Sequence, residues 1–323
     1  MILCVGTTPA VQRVMIFHKL MLDAVNRAVT TLDGAAGKSI NVAKVLKVLG
    51  EEPVALGFLG GDRGEHLRAL LTEQGIEFDF VTVTARTRQC VTVIDQSAGT
   101  HTELVEESRP VDPADFEKLL TIVRRRVNGS RAVVMSGTIT PGGPTDFYLH
   151  CTRIAHEAGA IAVVDAQGAV LLEALKAGPD LVKPNRPELA ATVGRELKDE
   201  AAVMQAMREL GERGAQRVVV TAGKESALAF DGRVFWRIAA PRVAALNPIG
   251  SGDAFTAGLV RQLVRGEDLG EACRWGSAAG AANALTAMAG EVNREDVERL
   301  VREVKVERIQ LAGDTISIGQ TTA

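Results

Sequence analysis

Residues 131–166 read "RAVVMSGTITPGGPTDFYLHCTRIAHEAGAIAVVDA". A short apolar run comes first, then a longer helical pattern closed by Gly159, then a second apolar run. Both runs are continuous rather than alternating, as strands are when helices bury both of their faces. The unit is strand, helix, parallel strand, and it recurs along the chain. "ILCVG" precedes "SINVAKVLKVLG", "PVALGFLG" precedes "GEHLRALLTEQG", and "DLVKPN" precedes "EAAVMQAMRELGERG" and "RVVVTAG". Gly50, Gly75 and Gly214 close helical patterns as Gly159 does; glycine accepts the left-handed backbone that ends a helix. This rhythm predicts an α/β fold, a doubly wound and mostly parallel sheet with helices on both faces.

Two segments break the rhythm. Residues 11–33 and 80–106 are rich in Val and Thr and alternate apolar with polar, and "QCVTVID", "QSAGT" and "HTELVE" read as a hairpin with glycine in its turn. They predict a small second sheet, a lid over the mouth of the core; an edge extension of the main sheet is the other reading. A charged helix is expected over 294–308, then a loosely held tail at 310–323. Residues 1–309 read as a single domain.

Composition narrows the class of function. A net charge of −3 over 323 residues gives no global basic footprint, which argues against nucleic acid as the main partner. The four cysteines form no C-x-x-C pair and the five histidines are scattered, so neither a zinc site nor a disulfide framework is expected, and a reducing cytoplasm is the simplest setting. The opening "MILCVG" reads as a buried strand rather than a signal peptide, and no apolar run is long enough to span a bilayer.

Two glycine-bearing stretches carry the chemistry. In "NPIGSGDAFTAGL", residues 247–259, Gly250 and Gly252 flank Ser251 and Asp253 opens a helix of small residues. Such a turn aims backbone N–H groups into one concavity at a helix N-terminus, where the dipole also favours an anion. An aspartate there would repel a phosphate, unless it takes a proton from an attacking hydroxyl while the amides hold the phosphoryl group. A capped helix after a glycine turn is the plainer alternative. The second stretch, "DGAAGKSIN" at 33–41, has the ending of a P-loop, but Leu32 stands where that loop needs its first glycine. The spacing fails.

In chain order, "AAGKSINVAKVLKVLG", "GFLGGDRGEHLRALLTEQGI", "SGTITPGGPTDFY", "VVDAQG", "LVKPNRPEL", "VVVTAGKESAL", "NPIGSGDAFTAGL" and "AAGAANAL" resemble the signature stretches of the PfkB, ribokinase-like, carbohydrate kinases. "VNR" at 25–27 and "TR" at 87–88 are similar to the branch of 1-phosphofructokinase and tagatose-6-phosphate kinase, which acts on phosphorylated sugars. The resemblance implies ATP-dependent phosphoryl transfer to a hydroxyl of a phosphorylated ketohexose. It implies Asp253 as general base, with the amides of Gly250, Ser251 and Gly252 as an anion hole. Gln12, Arg27, Gly37, Lys38, Asn41, Arg88 and Thr138 would bind the sugar phosphate. Lys183, Asn185, Thr221, Gly223 and Asn283 would line the nucleotide. Glu188 and Asn185 would place Mg2+ through its water shell. A homodimer formed through the lid follows by the same analogy.

The chain also departs from the family pattern. Where the family has N-P-A-x-D, this sequence reads "TPAVQ", with Thr8 for asparagine and Gln12 for the aspartate that bonds sugar hydroxyls. Cys90 replaces an asparagine, and Ala36 and Ser39 replace glycines. The phosphoryl-transfer residues are therefore intact while the sugar-reading ones have drifted. A kinase of an unphosphorylated sugar or nucleoside, and a catalytically weak sugar-phosphate-binding regulator, stand as alternatives.

Overall fold

The computed structural model describes residues 1–309; the expected tail at 310–323 lies outside the described residues. The chain begins β1 (Ile2–Val5), β2 (Ala10–Phe17), β3 (Thr30–Ala36), α1 (Lys38–Val48), β4 (Pro53–Leu59), α2 (Gly61–Glu73) and β5 (Glu77–Thr82). It continues through β6 (Arg88–Asp95), β7 (Thr100–Val105), α3 (Pro113–Arg126), β8 (Ala132–Ser136), α4 (Phe147–Glu157), β9 (Ile161–Asp165), α5 (Gly168–Leu175), β10 (Leu181–Val182), α6 (Arg186–Val193) and α7 (Glu200–Glu212). It closes with β11 (Val218–Val220), β12 (Ala227–Phe230), β13 (Phe235–Ala239), α8 (Ser251–Leu263), α9 (Leu269–Ala284), α10 (Arg294–Val301) and β14 (Lys305–Ile309).

Ten strands form the main sheet in the order β14-β13-β12-β11-β10-β9-β8-β1-β4-β5. From β5 to β11 every pair is parallel, and β12, β13 and β14 add an antiparallel edge. Because strand side chains alternate between faces, Leu3 and Val5 enter one apolar cluster while Ile2 and Cys4 enter the other. Helices α3–α7 cover the first face and α1, α2 and α8–α10 the second. The sheet is thus buried on both sides, which is why its strands read as unbroken apolar runs.

The second sheet is separate, ordered β3-β2-β6-β7. Its boundaries correct the sequence reading in two places. Residues 80–82 belong to β5 at the far edge of the main sheet, paired with β4. At the other end, β3 runs on to Ala36, opposite Ala10, so the lysine-bearing loop is the end of a lid strand joined directly to α1. The helix expected over 294–308 also stops early: α10 ends at Val301, and Lys305–Ile309 pairs antiparallel with Phe235–Ala239. A charged edge strand carries a polar composition easily read as helix.

Candidate active site

A cleft of about 370 Å³ opens at the carboxyl ends of the parallel strands, beneath the small sheet, where open α/β sheets bind their ligands. Its inner end is the turn before α8. Asn247 shapes that turn, donating through Nδ2 to the Ala287 carbonyl at 2.8 Å and accepting from the Ile249 N–H at 3.1 Å. Gly250 is left-handed, with φ 84°, and a Cβ there would lie 2.8 Å from both the Ala289 Cβ and the Gly290 nitrogen. Only glycine fits. The Ser251 N–H donates to the Pro248 carbonyl, whereas the N–H groups of Gly250, Gly252 and Asp253 donate to no acceptor among the described residues. The open amides of the turn are therefore those of Gly250, Gly252 and Asp253, while that of Ser251, expected among them, is spent within the turn.

The Asp253 side chain is buried and its Oδ2 accepts a 2.7 Å hydrogen bond from Asn41 Nδ2. Helices α1 and α8 lie on the same face of the sheet, which brings the two residues together. Burial pushes the Asp253 carboxyl up to about 6, against the pull of Lys38. A carboxylate near neutrality is suited to taking a proton and returning it.

Beside Asp253 lies a lysine–carboxylate cluster. Lys38 Nζ sits 3.3 Å from Asp165 Oδ1 and 3.0 Å from Glu188 Oε1, and Lys183 Nζ sits 3.0 Å from Asp165 Oδ2. Thr256 Oγ1 donates to the same Asp165 oxygen. Burial raises the Asp165 carboxyl, but Lys183 and Lys38 outweigh it and hold it below the usual range. The nearby carboxylates, Asp165 foremost, likewise raise Lys38 well above the ordinary lysine value. Lys38 thus faces the cleft with its ammonium engaged by two carboxylates. Asp165 had been quoted in "VVDAQG" without a role; its signal was a charged residue ending an apolar strand run, a position at the carboxyl edge of the sheet.

Asn185 and Glu188 form a capping box on α6: Asn185 Oδ1 accepts from the Glu188 N–H and Glu188 Oε2 from the Asn185 N–H, both at 2.8 Å. The N-x-x-E spacing is that of N-cap and N3, and it leaves Glu188 Oε1 turned to Lys38. Among the described residues no cluster of three His, Cys, Asp or Glu side chains could cage a metal. Thr221 lines the cleft at the end of β11, bridged to Asn185.

Other expected residues lie elsewhere. Asn283 is fully buried under the turn, donating to the Ile249 carbonyl at 2.9 Å and accepting from the Gly290 N–H at 2.8 Å. It braces the turn and is not part of the cleft lining. Gly223 and Thr138 are exposed and do not line the cleft. Arg27 is exposed in the connection from β2 to β3. That connection leaves the end of β2 opposite the cleft, five residues past Gln12, and at about 3.3 Å per residue the strand carries it roughly 16 Å away.

The lid side of the cleft is built by Gln12, Cys90, Glu103 and Val105, with Arg88 at its base. Gln12 Nε2 donates to Thr92 Oγ1 at 2.5 Å, and Arg88 Nη2 to the Thr8 carbonyl at 3.0 Å. Gly37 joins lid to helix at φ 109°, where a Cβ would lie 2.9 Å from the Pro9 Cα.

Residues 1–295 match the model of the pfkB family carbohydrate kinases. A tagatose-6-phosphate kinase of Staphylococcus epidermidis is 28% identical over 309 residues, covering 95% of this chain and 99% of that protein. The Escherichia coli phosphofructokinase-2 in complex with potassium superposes with a TM-score of 0.86 at 28% identity, over 94% of this chain and 98% of its own; a tetrameric inhibited form of that enzyme scores 0.84 at 28% identity over the same shares. A Thermotoga maritima protein described as a possible 1-phosphofructokinase gives 0.88 at 26% identity, over 96% of this chain and 100% of its own. With a ribokinase-like sheet, a separate small sheet and the glycine–aspartate turn in place, the chain belongs to the pfkB family of carbohydrate kinases.

Proposed function

We propose that the protein transfers the γ-phosphoryl group of ATP to a hydroxyl of a phosphorylated ketohexose, giving a bisphosphate. The observation that carries this reading is the Asp253 carboxylate, raised to about 6, in the same turn as three N–H groups without acceptors among the described residues. Asp253 takes the proton of the attacking hydroxyl as the new P–O bond forms and the bond to the β-phosphate oxygen breaks. The amides of Gly250, Gly252 and Asp253 meet the charge on the transferring group. Asn41 holds the base in line through its Nδ2, and Lys38 and Lys183 supply positive charge at the floor.

Asp165 and Glu188 offer carboxylate oxygens on the nucleotide side but no closed cage, a donor set that suits magnesium carried by the phosphates and reached through water. The ion would neutralise phosphate charge when bound. For the acceptor's own phosphate, Arg88 is the favoured anchor. Its Nε and Thr140 Oγ1 are buried without partners, and both residues line a narrow recess beside the cleft together with Arg86 and Arg109.

A second reading, an unphosphorylated sugar as acceptor, draws on the engagement of Lys38 and the distance of Arg27, which leave Arg88 alone among the expected cations on that side. ADP release measured over fructose 1-phosphate, fructose 6-phosphate, tagatose 6-phosphate and the matching free sugars decides between them. Turnover of phosphorylated members is expected; turnover of free sugars alone would overturn the first reading.

The lid is also the proposed dimer surface. Met21, Leu22, Val25 and Val29 stand exposed on the β2–β3 connection, Leu22 at 90%, four large apolar side chains within nine residues that a second copy would cover. No helix among the described residues is long and apolar enough to cross a membrane, and the four cysteines are free and buried, in keeping with a cytoplasmic setting.

A further inference from the structure

The cleft-facing side of the small sheet carries one carboxylate that the transfer chemistry does not use. In register, Gln12 lies opposite Cys90 and Cys90 opposite Val105, while Thr92 lies opposite Glu103. Residues two apart share a face, so Gln12, Cys90, Thr92, Glu103 and Val105 belong to the same side of the sheet. Gln12, Cys90, Glu103 and Val105 line the cleft, and Thr92 is buried behind them, accepting from Gln12. Among the described residues Glu103 makes no hydrogen bond and no ion pair. The other carboxylates in the cleft are engaged: Asp165 and Glu188 by lysines, Asp253 by Asn41.

This wall presents acceptors. Gln12 gives one amide N–H to Thr92 and keeps its oxygen, and an ionised Glu103 accepts only. Such acceptors complement the O–H groups of a ligand, and the Glu103 carboxylate opposes its phosphate. The cations, Arg88 and the two lysines, lie at the base and floor. An acceptor molecule is therefore polarised in the cleft, hydroxyls toward β7 and phosphate toward Arg88.

We propose that Glu103 is a specificity-determining residue that binds hydroxyls of the acceptor sugar, supplying from β7 the carboxylate that position 12 lacks. The inference rests on the kinase reading above, and its sugar-phosphate form on the first version of it. The test compares wild type with Glu103→Ala and Glu103→Gln in steady-state kinetics over the same five sugars, varying acceptor and ATP separately. Losing hydrogen bonds to a charged group is expected to raise the acceptor KM about ten- to hundredfold in Glu103→Ala, with the KM for ATP unmoved. Glu103→Gln, of equal shape but able to donate as well as accept, is expected to reorder the preference among the sugars. An unchanged acceptor KM would overturn the proposal. So would a lowered one, which would mean that the carboxylate only repels the substrate. Thermal unfolding of both variants is expected to match wild type, since the side chain is exposed at the rim. A wild type active only on free sugars overturns the sugar-phosphate reading, yet leaves Glu103 to be judged by the same KM comparison. A wild type inert toward all five overturns both.

Discussion

At the scale of the residue, Asp253 links catalysis to stability through one number. Its carboxyl titrates near 3.8 when unperturbed and at about 6 in the fold, so the folded chain holds the proton more tightly. The neutral form's contribution is complete below pH 3.8 and is lost as pH rises through 6. Asp253→Asn is therefore expected to be more stable than wild type above pH 6, by up to about 3 kcal/mol, with no difference near pH 3. Urea titrations at both pH values check this. The same variant is expected to lose roughly 10²–10⁴ in kcat, and wild-type kcat/KM to fall as pH drops below about 6. Lys183 behaves differently. It is 3% exposed against a fully buried Asp165, and Lys183→Met would strand that charge, costing about 3–5 kcal/mol of unfolding free energy. A loss under 1 kcal/mol would show that water or Lys38 compensates.

At the scale of the element, the junction between β3 and α1 is a single residue. Gly37 follows the lid strand and precedes the helix bearing Lys38 and Asn41, in a backbone conformation that other residues take only under strain. Gly37→Ala is expected to lose about 1–3 kcal/mol and to raise acceptor KM, because Asn41 shifts with the helix; crystallography of the variant would locate the shift. Elements also show what a sequence can and cannot announce. Strands β1, β4, β8 and β9 were legible because burial on both faces leaves unbroken apolar runs. The glycine turn ahead of α8, with Gly250 left-handed, was legible because that residue order suits few local structures. Strand β14 was not, since a charged edge strand and a charged helix share a composition. Nor were the partners of Lys38: Asp165 and Glu188 stand 127 and 150 residues away, and no local pattern encodes such a meeting. The position of Arg27, away from the cleft of its own chain, was not legible because strand length and register are invisible in the sequence.

At the scale of the whole molecule, the exposed connection from β2 to β3 calls for a partner. Leu22→Lys is expected to shift a sedimentation profile from dimer to monomer without unfolding the chain; a monomeric wild type would remove the proposed interface. The central pairing of the small sheet has a different consequence. Strand β2 pairs in parallel with β6, residues 10–17 against 88–95, and α1, β4, α2 and β5 intervene. Closing so long a loop is entropically costly until those elements have packed. Pulsed hydrogen exchange during refolding is accordingly expected to protect β1 and β4 amides before those of β2 and β6, and simultaneous protection would contradict this order. A refolding chain would then complete the centre of its main sheet before the small sheet that covers the cleft.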